Sequence, residues 1–193
     1  MKNDFKFTLV SSIFIAGFLA ANTLGSKITT IYGVAVSVGI LAYPLTFMIT
    51  DAVSEVFGKK RAKHIVYSAL IAQVLVLILM YILIKLPPAG RYHLNNEYSQ
   101  VFSNSLRMII ASLIAFFISQ THDIWAFNFW KKITKGKYLW LRNNLSTFTS
   151  QAIDTLLFMF IAFYGINDKF TALFILQLAL TYWIFKIIFA AID

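Results

Sequence analysis

A cation, two amides, a row of hydroxyls and a carboxylate follow one another in Arg142–Asp154, RNNLSTFTSQAID. Ser146, Thr147, Thr149, Ser150 and Gln151 lie between the end charges, and the sequence then turns apolar through Thr155–Tyr164. Read as one helix, the stretch puts Thr147, Gln151 and Asp154 on one face. Ser150 stands one turn before Asp154, because residues three and four apart are neighbours. Asp154 then sits roughly 16 Å along the axis from Asn143, at about 1.5 Å per residue. That is near the middle of a hydrocarbon slab about 30 Å thick. A carboxylate at that depth is costly unless it faces a polar cavity or a partner. Two roles fit it: a hydrogen bond between helices, or a contact to a ligand.

Further polar groups flank or enter apolar runs. They are the carboxylates Asp51 and Asp123, the amides Asn22, Gln73, Gln120 and Gln151, and the cations Lys27, Arg107 and Arg142. In lipid each needs a partner. As interhelical pairs, for instance Arg142 with Asp51, they would hold a bundle. Such bonds average only about 0.6 kcal/mol, which is little for so many polar groups. A polar cavity for a polar, planar solute accounts for them better. Carboxylates and amides offer acceptors and donors to an amidine- or guanidine-like edge, and the 19 Phe, 9 Tyr and 4 Trp supply stacking faces.

Catalysis finds less support. His64, His93 and His122 are far apart and fall in or near expected loops. No HExxH or GxSxG occurs, and His122 beside Asp123 reads as a boundary histidine. No Walker A pattern is present, so the chain does not drive transport with ATP by itself. The expectation is a protein that is not an enzyme and has no cofactor or metal.

The elements that must position these groups follow from composition. The chain has 193 residues, 59% of them apolar and only 13% charged, with a mean hydropathy of +0.73. An ordinary soluble domain is about 25% charged. The class is therefore an all-α polytopic membrane protein, a single integral domain over 1–193 with about six spans and no separate soluble domain. The net charge of +9 raises nucleic acid as a partner, but its distribution argues against that. Lys59, Lys60, Arg61 and Lys63 form one cluster; Lys131, Lys132, Lys135 and Lys137, with Arg142, form the other. Both are expected in short loops between apolar runs, where the positive-inside rule places them. The absence of cysteine excludes disulfides and thiolate sites.

The expected spans are about 7–23, 34–50, 65–86, 105–130, 143–164 and 170–192. Lys2 and Lys6 before Thr8–Ala21 imitate a signal peptide, and an uncleaved first span is the better reading. Pro44 is expected to kink span two, and Pro87-Pro88 to end span three. Ala89–Asn104 reads as the longest polar connection. Span four is long enough to tilt or project. Span six carries Gln177 and Lys186. With both basic clusters in the cytoplasm, both termini are cytoplasmic. The outer side then keeps only Lys27, Lys85, Arg91 and Lys169, with Arg107 at its boundary. A faint repeat joins spans four and five. Ser119-Gln120-x-x-Asp123 and Ser150-Gln151-x-x-Asp154 share one spacing, with Gln and Asp on one face, on spans expected to run antiparallel.

Four segments together resemble the queuosine precursor transporter family, also called vitamin-uptake-transporter-like. They are AANTLGSK (Ala20–Lys27), YPLTFMITDAVSEVFGKKRA (Tyr43–Ala62), RMIIASLIAFFISQTHD (Arg107–Asp123) and LWLRNNLSTFTSQAID (Leu139–Asp154). They are specific as an ordered set, and the resemblance covers nearly the whole chain. It implies a six-helix inner-membrane importer of 7-deazaguanines, preQ0 and preQ1 or in some members queuine, for queuosine synthesis in tRNA. It carries over Asn22, Ser26, Lys27, Asp51, Glu55, Arg107, Gln120, Asp123, Arg142, Ser146, Gln151 and Asp154 as substrate-binding positions. A short tail follows span six in the family, whereas this sequence stops at Asp193. The fold implied is similar, by analogy, to substrate-binding subunits of energy-coupling-factor importers. Two alternatives stay open: such a subunit served by an external energising module, and a non-transporting structural or regulatory membrane protein. The implied partners are the small-molecule substrate and the lipid bilayer. The preferred substrate, the coupling ion and the oligomeric state stay open.

Overall fold

In the computed structural model the described backbone covers residues 2–31 and 33–192. Side chains are described for all of these except 2, 3, 34, 43, 44, 47, 51, 59, 143 and 188–192. Six helices dominate: α1 (Lys2–Leu24), α2 (Tyr43–Phe57), α3 (Lys59–Lys85), α4 (Asn95–Ile133), α5 (Leu139–Phe163) and α6 (Ala172–Ile192). A two-stranded hairpin, β1 (Ile28–Ile31) and β2 (Val34–Ser37), and a 3-10 turn at Val38–Ala42 separate α1 from α2. Among the described residues, four helical stretches are long and apolar enough to cross a membrane: Asp4–Leu24, Lys60–Lys85, Asn95–Ile133 and Leu139–Phe163. The protein is an all-α polytopic membrane protein in this sense. The chain packs as two compact units, Met1–Ile109 with Ile188–Asp193, and Ile110–Ile187.

In the first unit α1, α2 and α3 share a core of Phe14, Ile49, Val53, Ile65 and Ala69. Arg61 closes one end of it. Its guanidinium lies 5.0 Å from the Phe7 ring and 5.8 Å from that of Phe57, and it pairs with Asp4 at 3.8 Å. α3 is turned inside out relative to a soluble helix. Ile71, Leu75 and Ile78 are more than half exposed, while Gln73 is wholly buried.

The hairpin docks on the end of α1 through two glycines. A Cβ on Gly25 would stand 2.2 Å from the Ala21 carbonyl oxygen, and one on Gly39 would stand 2.7 Å from the same atom. Ser37 stitches the junction. Its Oγ donates to the Gly25 carbonyl at 2.5 Å and accepts from the Gly39 amide at 3.2 Å. Ser105 of α4 donates to the Thr23 carbonyl at 2.6 Å.

Several expected boundaries move. Span two is not a helix over 34–50. Val34–Ser37 pairs antiparallel with Ile28–Ile31, and Pro44 stands at the start of α2. There its missing N–H costs nothing and its fixed φ suits the first turn, so it begins a helix instead of kinking one. α2 has 15 residues and rises about 22 Å, less than the slab of about 30 Å. The first basic cluster is not in a loop. Gly58, with φ of 87°, alone separates α2 from α3, and Lys60, Arg61 and Lys63 fall in the first turns of α3. Asn95–Asn104, expected as polar connection, is helical, so α4 has 39 residues and rises about 58 Å.

In the second unit α4 and α5 are joined by only residues 134–138, which carry Lys135, Gly136 and Tyr138 at positive φ. So short a connection makes its two helices antiparallel neighbours. Ala111, Ala115 and Ser119 are buried one turn apart along α4, small residues of the kind that let helices approach closely. On α6, Ile175, Leu178, Ala179 and Tyr182 form a buried stripe. Trp183 meets the Phe148 ring edge-on at 4.5 Å.

Candidate functional site

The polar groups of the second unit meet where α4, α5 and α6 carry them inward. On α5 the residues four apart, Arg142, Ser146 and Ser150, are all buried, and Asp154 continues the row by one more turn. On α4 the inward positions are Ser119, His122 and Asp123. Asp154 is the centre of the contacts. Its Oδ2 receives Lys186 Nζ at 2.9 Å, and its Oδ1 receives Ser119 Oγ at 3.3 Å. Lys186 also donates to Thr155 Oγ1 at 3.2 Å. The lysine side chain is 7% exposed and that of Asp154 28%, so the pair is largely shielded. One turn away, His122 Nδ1 and Ser150 Oγ lie 2.9 Å apart. Which of them donates follows the imidazole tautomer.

Two charged groups have no such satisfaction. Asp123 Oδ1 and the Nε and Nη1 of Arg142 are buried without a hydrogen-bond partner among the described residues. The Arg142 guanidinium lies 5.3 Å from the Phe127 ring centroid, one helical turn along α4 from Asp123. A cation against an aromatic face is attracted to it, but the contact leaves the N–H donors unused. A carboxylate has about four acceptor positions, so Asp154 can also accept more than its two present donors. The cluster therefore offers unused acceptors and unused donors behind apolar helix surfaces. His122 also faces an open groove of about 400 Å³ lined by Phe117, Ile118, Thr121 and Trp125. Among the described residues no group of His, Cys, Asp and Glu could hold a metal ion.

The twelve expected binding positions divide evenly between the two units. In the second, Arg142, Ser146 and Asp154 line the inward row of α5, and Asp123 faces inward from α4. Gln120 is exposed, and Gln151 is half-buried. The inward pair of the repeated motif is thus its Ser and Asp, four apart, where the sequence suggests Gln and Asp. In the first unit Asn22 is buried, its Nδ2 donating to the Phe18 carbonyl at 3.0 Å. Ser26 and Arg107 are half-buried, while Lys27 and Glu55 are exposed. The side chain of Asp51 lies outside the described residues, and with it the suggested Arg142–Asp51 pair. Lys186 is absent from the expected set, although a lone cation in a 21-residue apolar helix is itself a signal. His122 is not a mere boundary residue, since it is hydrogen-bonded to Ser150.

Residues 37–193 match the family model described as “Putative vitamin uptake transporter”, and the chain belongs to that family. Three relatives are similar along much of the chain. A probable queuosine precursor transporter of Bacillus subtilis is 29% identical over 77% of this chain and 65% of its own length. The queuosine precursor transporter of Escherichia coli is 26% identical over 90% of this chain and 76% of its own. A probable queuosine precursor transporter of Haemophilus influenzae is 29% identical over 77% of this chain and 61% of its own. The chain thus spans just under two thirds of the length of the Bacillus relative. No solved structure matches the chain significantly.

Proposed function

We propose that this protein transports queuosine precursors across the cell inner membrane, importing 7-deazaguanines such as preQ0, preQ1 or queuine for tRNA modification. The observation that carries the reading is the charged cluster of the second unit. Asp154 is held by Lys186 and Ser119, while buried atoms of Asp123 and Arg142 stand without partners. A 7-deazaguanine presents a ring N–H, an exocyclic amine and a carbonyl on one edge. Two carboxylates and a guanidinium are the side chains that complement such an edge, and relatives named for this cargo support the choice. Their named role is transport, so the reading is non-enzymatic.

In this reading the positions carried over from the family form the binding set. The basic clusters face the cytoplasm, with both termini on that side. Asp154→Asn is expected to weaken binding by about 1–3 kcal/mol without preventing insertion. The test is reconstitution of the purified chain in liposomes with labelled preQ0. Time-dependent uptake without added ATPase supports the proposal. Binding without uptake would make the chain a substrate-binding subunit that needs an energising module. The absence of both binding and uptake refutes this cargo.

A further inference from the structure

The repeated motif acquires a geometric meaning once the contacts are traced. Ser119 meets Asp154, His122 meets Ser150, and Phe127 meets Arg142. Advancing along α4 therefore retreats along α5, and the two helices are antiparallel. A local two-fold axis across such a pair exchanges Ser119 with Ser150 and Asp123 with Asp154. Obeyed fully, it would set Ser150 against Asp123 as Ser119 is set against Asp154. The contacts break that symmetry. Ser150 is bonded to His122, and Asp123 Oδ1 is left buried with no partner among the described residues. The cation placements differ too. Lys186 binds the Asp154 half, whereas Arg142, 6% exposed, keeps Nε and Nη1 unpartnered and makes no ion pair with Asp123.

One half of the cluster is thus satisfied from within the protein and the other is not. Buried donors and acceptors of ionised groups are nearly always paired, because leaving them unpaired costs the full desolvation of the group. We propose that Asp123 and Arg142 read the hydrogen-bonding edge of the ligand, with Asp123 accepting from its amidine N–H groups and Arg142 donating to its carbonyl oxygen. Asp154, with Lys186 and Ser119, positions that edge. The assignment rests on the 7-deazaguanine reading and deepens it. It selects heterocycles that carry an adjacent amine and carbonyl, and it discriminates by the exocyclic amine, whatever the substituent at the 7-position. His122 has a definite place in it. By engaging Ser150, the imidazole keeps that hydroxyl from filling the acceptor of Asp123.

The test compares 7-cyano-7-deazaguanine with its analogue lacking the 2-amino group, by equilibrium binding to the purified full chain in detergent. Wild type is expected to bind the parent about tenfold or more tightly than the analogue, the penalty for one lost bond to a buried charge. Asp123→Asn should weaken the parent by about tenfold or more and the analogue, which keeps only the ring N–H, by clearly less, so that the preference narrows. Arg142→Lys should weaken both ligands alike, because both keep the carbonyl. Equal losses for both ligands in Asp123→Asn would mark that residue as structural and overturn the assignment. Equal affinity of wild type for the two ligands overturns it without any variant, so a variant that fails to fold does not blunt the test. Binding of neither ligand by wild type removes the 7-deazaguanine reading itself, an outcome distinct from the other two.

Discussion

Replacing Lys186 by methionine isolates the charge at the centre of the cluster. Methionine keeps an unbranched stem of similar bulk and removes only the ammonium. Asp154 then loses its 2.9 Å contact and retains Ser119 Oγ at 3.3 Å, and Thr155 loses a donor at 3.2 Å. Breaking a buried pair from one side costs about 3–5 kcal/mol. The Asp154 side chain is 28% exposed, which relieves part of that cost and places the expectation near about 3 kcal/mol. For a chain of this length about 2–4 °C accompanies each kcal/mol, so unfolding should fall by about 6–12 °C. Removing both charges together, Lys186→Met with Asp154→Asn, leaves no stranded ion and should return to within about 1 kcal/mol of wild type. Thermal unfolding of the purified protein in one detergent reads all three. A single variant that melts with wild type shows that the pair contributes nothing. A double variant as unstable as the single shows that the loss is packing and not charge.

Three other outcomes are expected. Gly25→Ala drives a Cβ toward the Ala21 carbonyl oxygen, 2.2 Å away, and should cost about 1–3 kcal/mol; folded yield against Gly90→Ala, where a Cβ meets nothing, checks it, and equal yields would deny the close approach. Ser37→Ala strips one partner from both the Gly25 carbonyl and the Gly39 amide and should cost about 1–3 kcal/mol, seen as lower thermal stability with faster amide exchange at Gly39. A compartment reporter fused after Gly136 should read cytoplasmic and one after Gly90 external; a cytoplasmic signal at Gly90 would reverse the proposed orientation.

Much of the architecture is legible in the sequence because lipid-facing helices leave a strong local signal. α3 and α5 lie close to where their apolar runs place them. The region 28–42 misleads for a physical reason. From 34 onward its apolarity runs on into α2 for the length of a span, but Ile28–Ile31 and Val34–Ser37 are two short runs rich in β-branched residues, separated by two positions that include Gly33. That is a hairpin signature, hidden by a hydropathy average. Positive charge likewise marks the membrane boundary without saying whether the backbone there is looped, and at Lys60–Lys63 it is helical. Within the site, Asp154 stands out because it ends a polar row just where the sequence turns apolar. Its partner Lys186 lies 32 residues away, and nothing local links the two. His122 looked peripheral because its role depends on α5 lying antiparallel to α4, which follows from the five-residue turn and not from the residues beside the histidine.

The inverted pattern of α3 bears on how such chains are to be compared. Its outer positions, Ile71, Leu75 and Ile78 among them, are more than half exposed and need only be apolar. Leucine, isoleucine, valine or phenylalanine serves almost equally there, so the requirement is statistical: an average over a surface, not a choice at each place. Substitutions of that kind lower percentage identity without touching function. An identity of 26–29% counts such interchangeable places equally with positions like the wholly buried Gln73, where a change of polarity would be felt at once. For membrane chains of this kind, agreement is better weighed by depth and polarity than counted letter by letter.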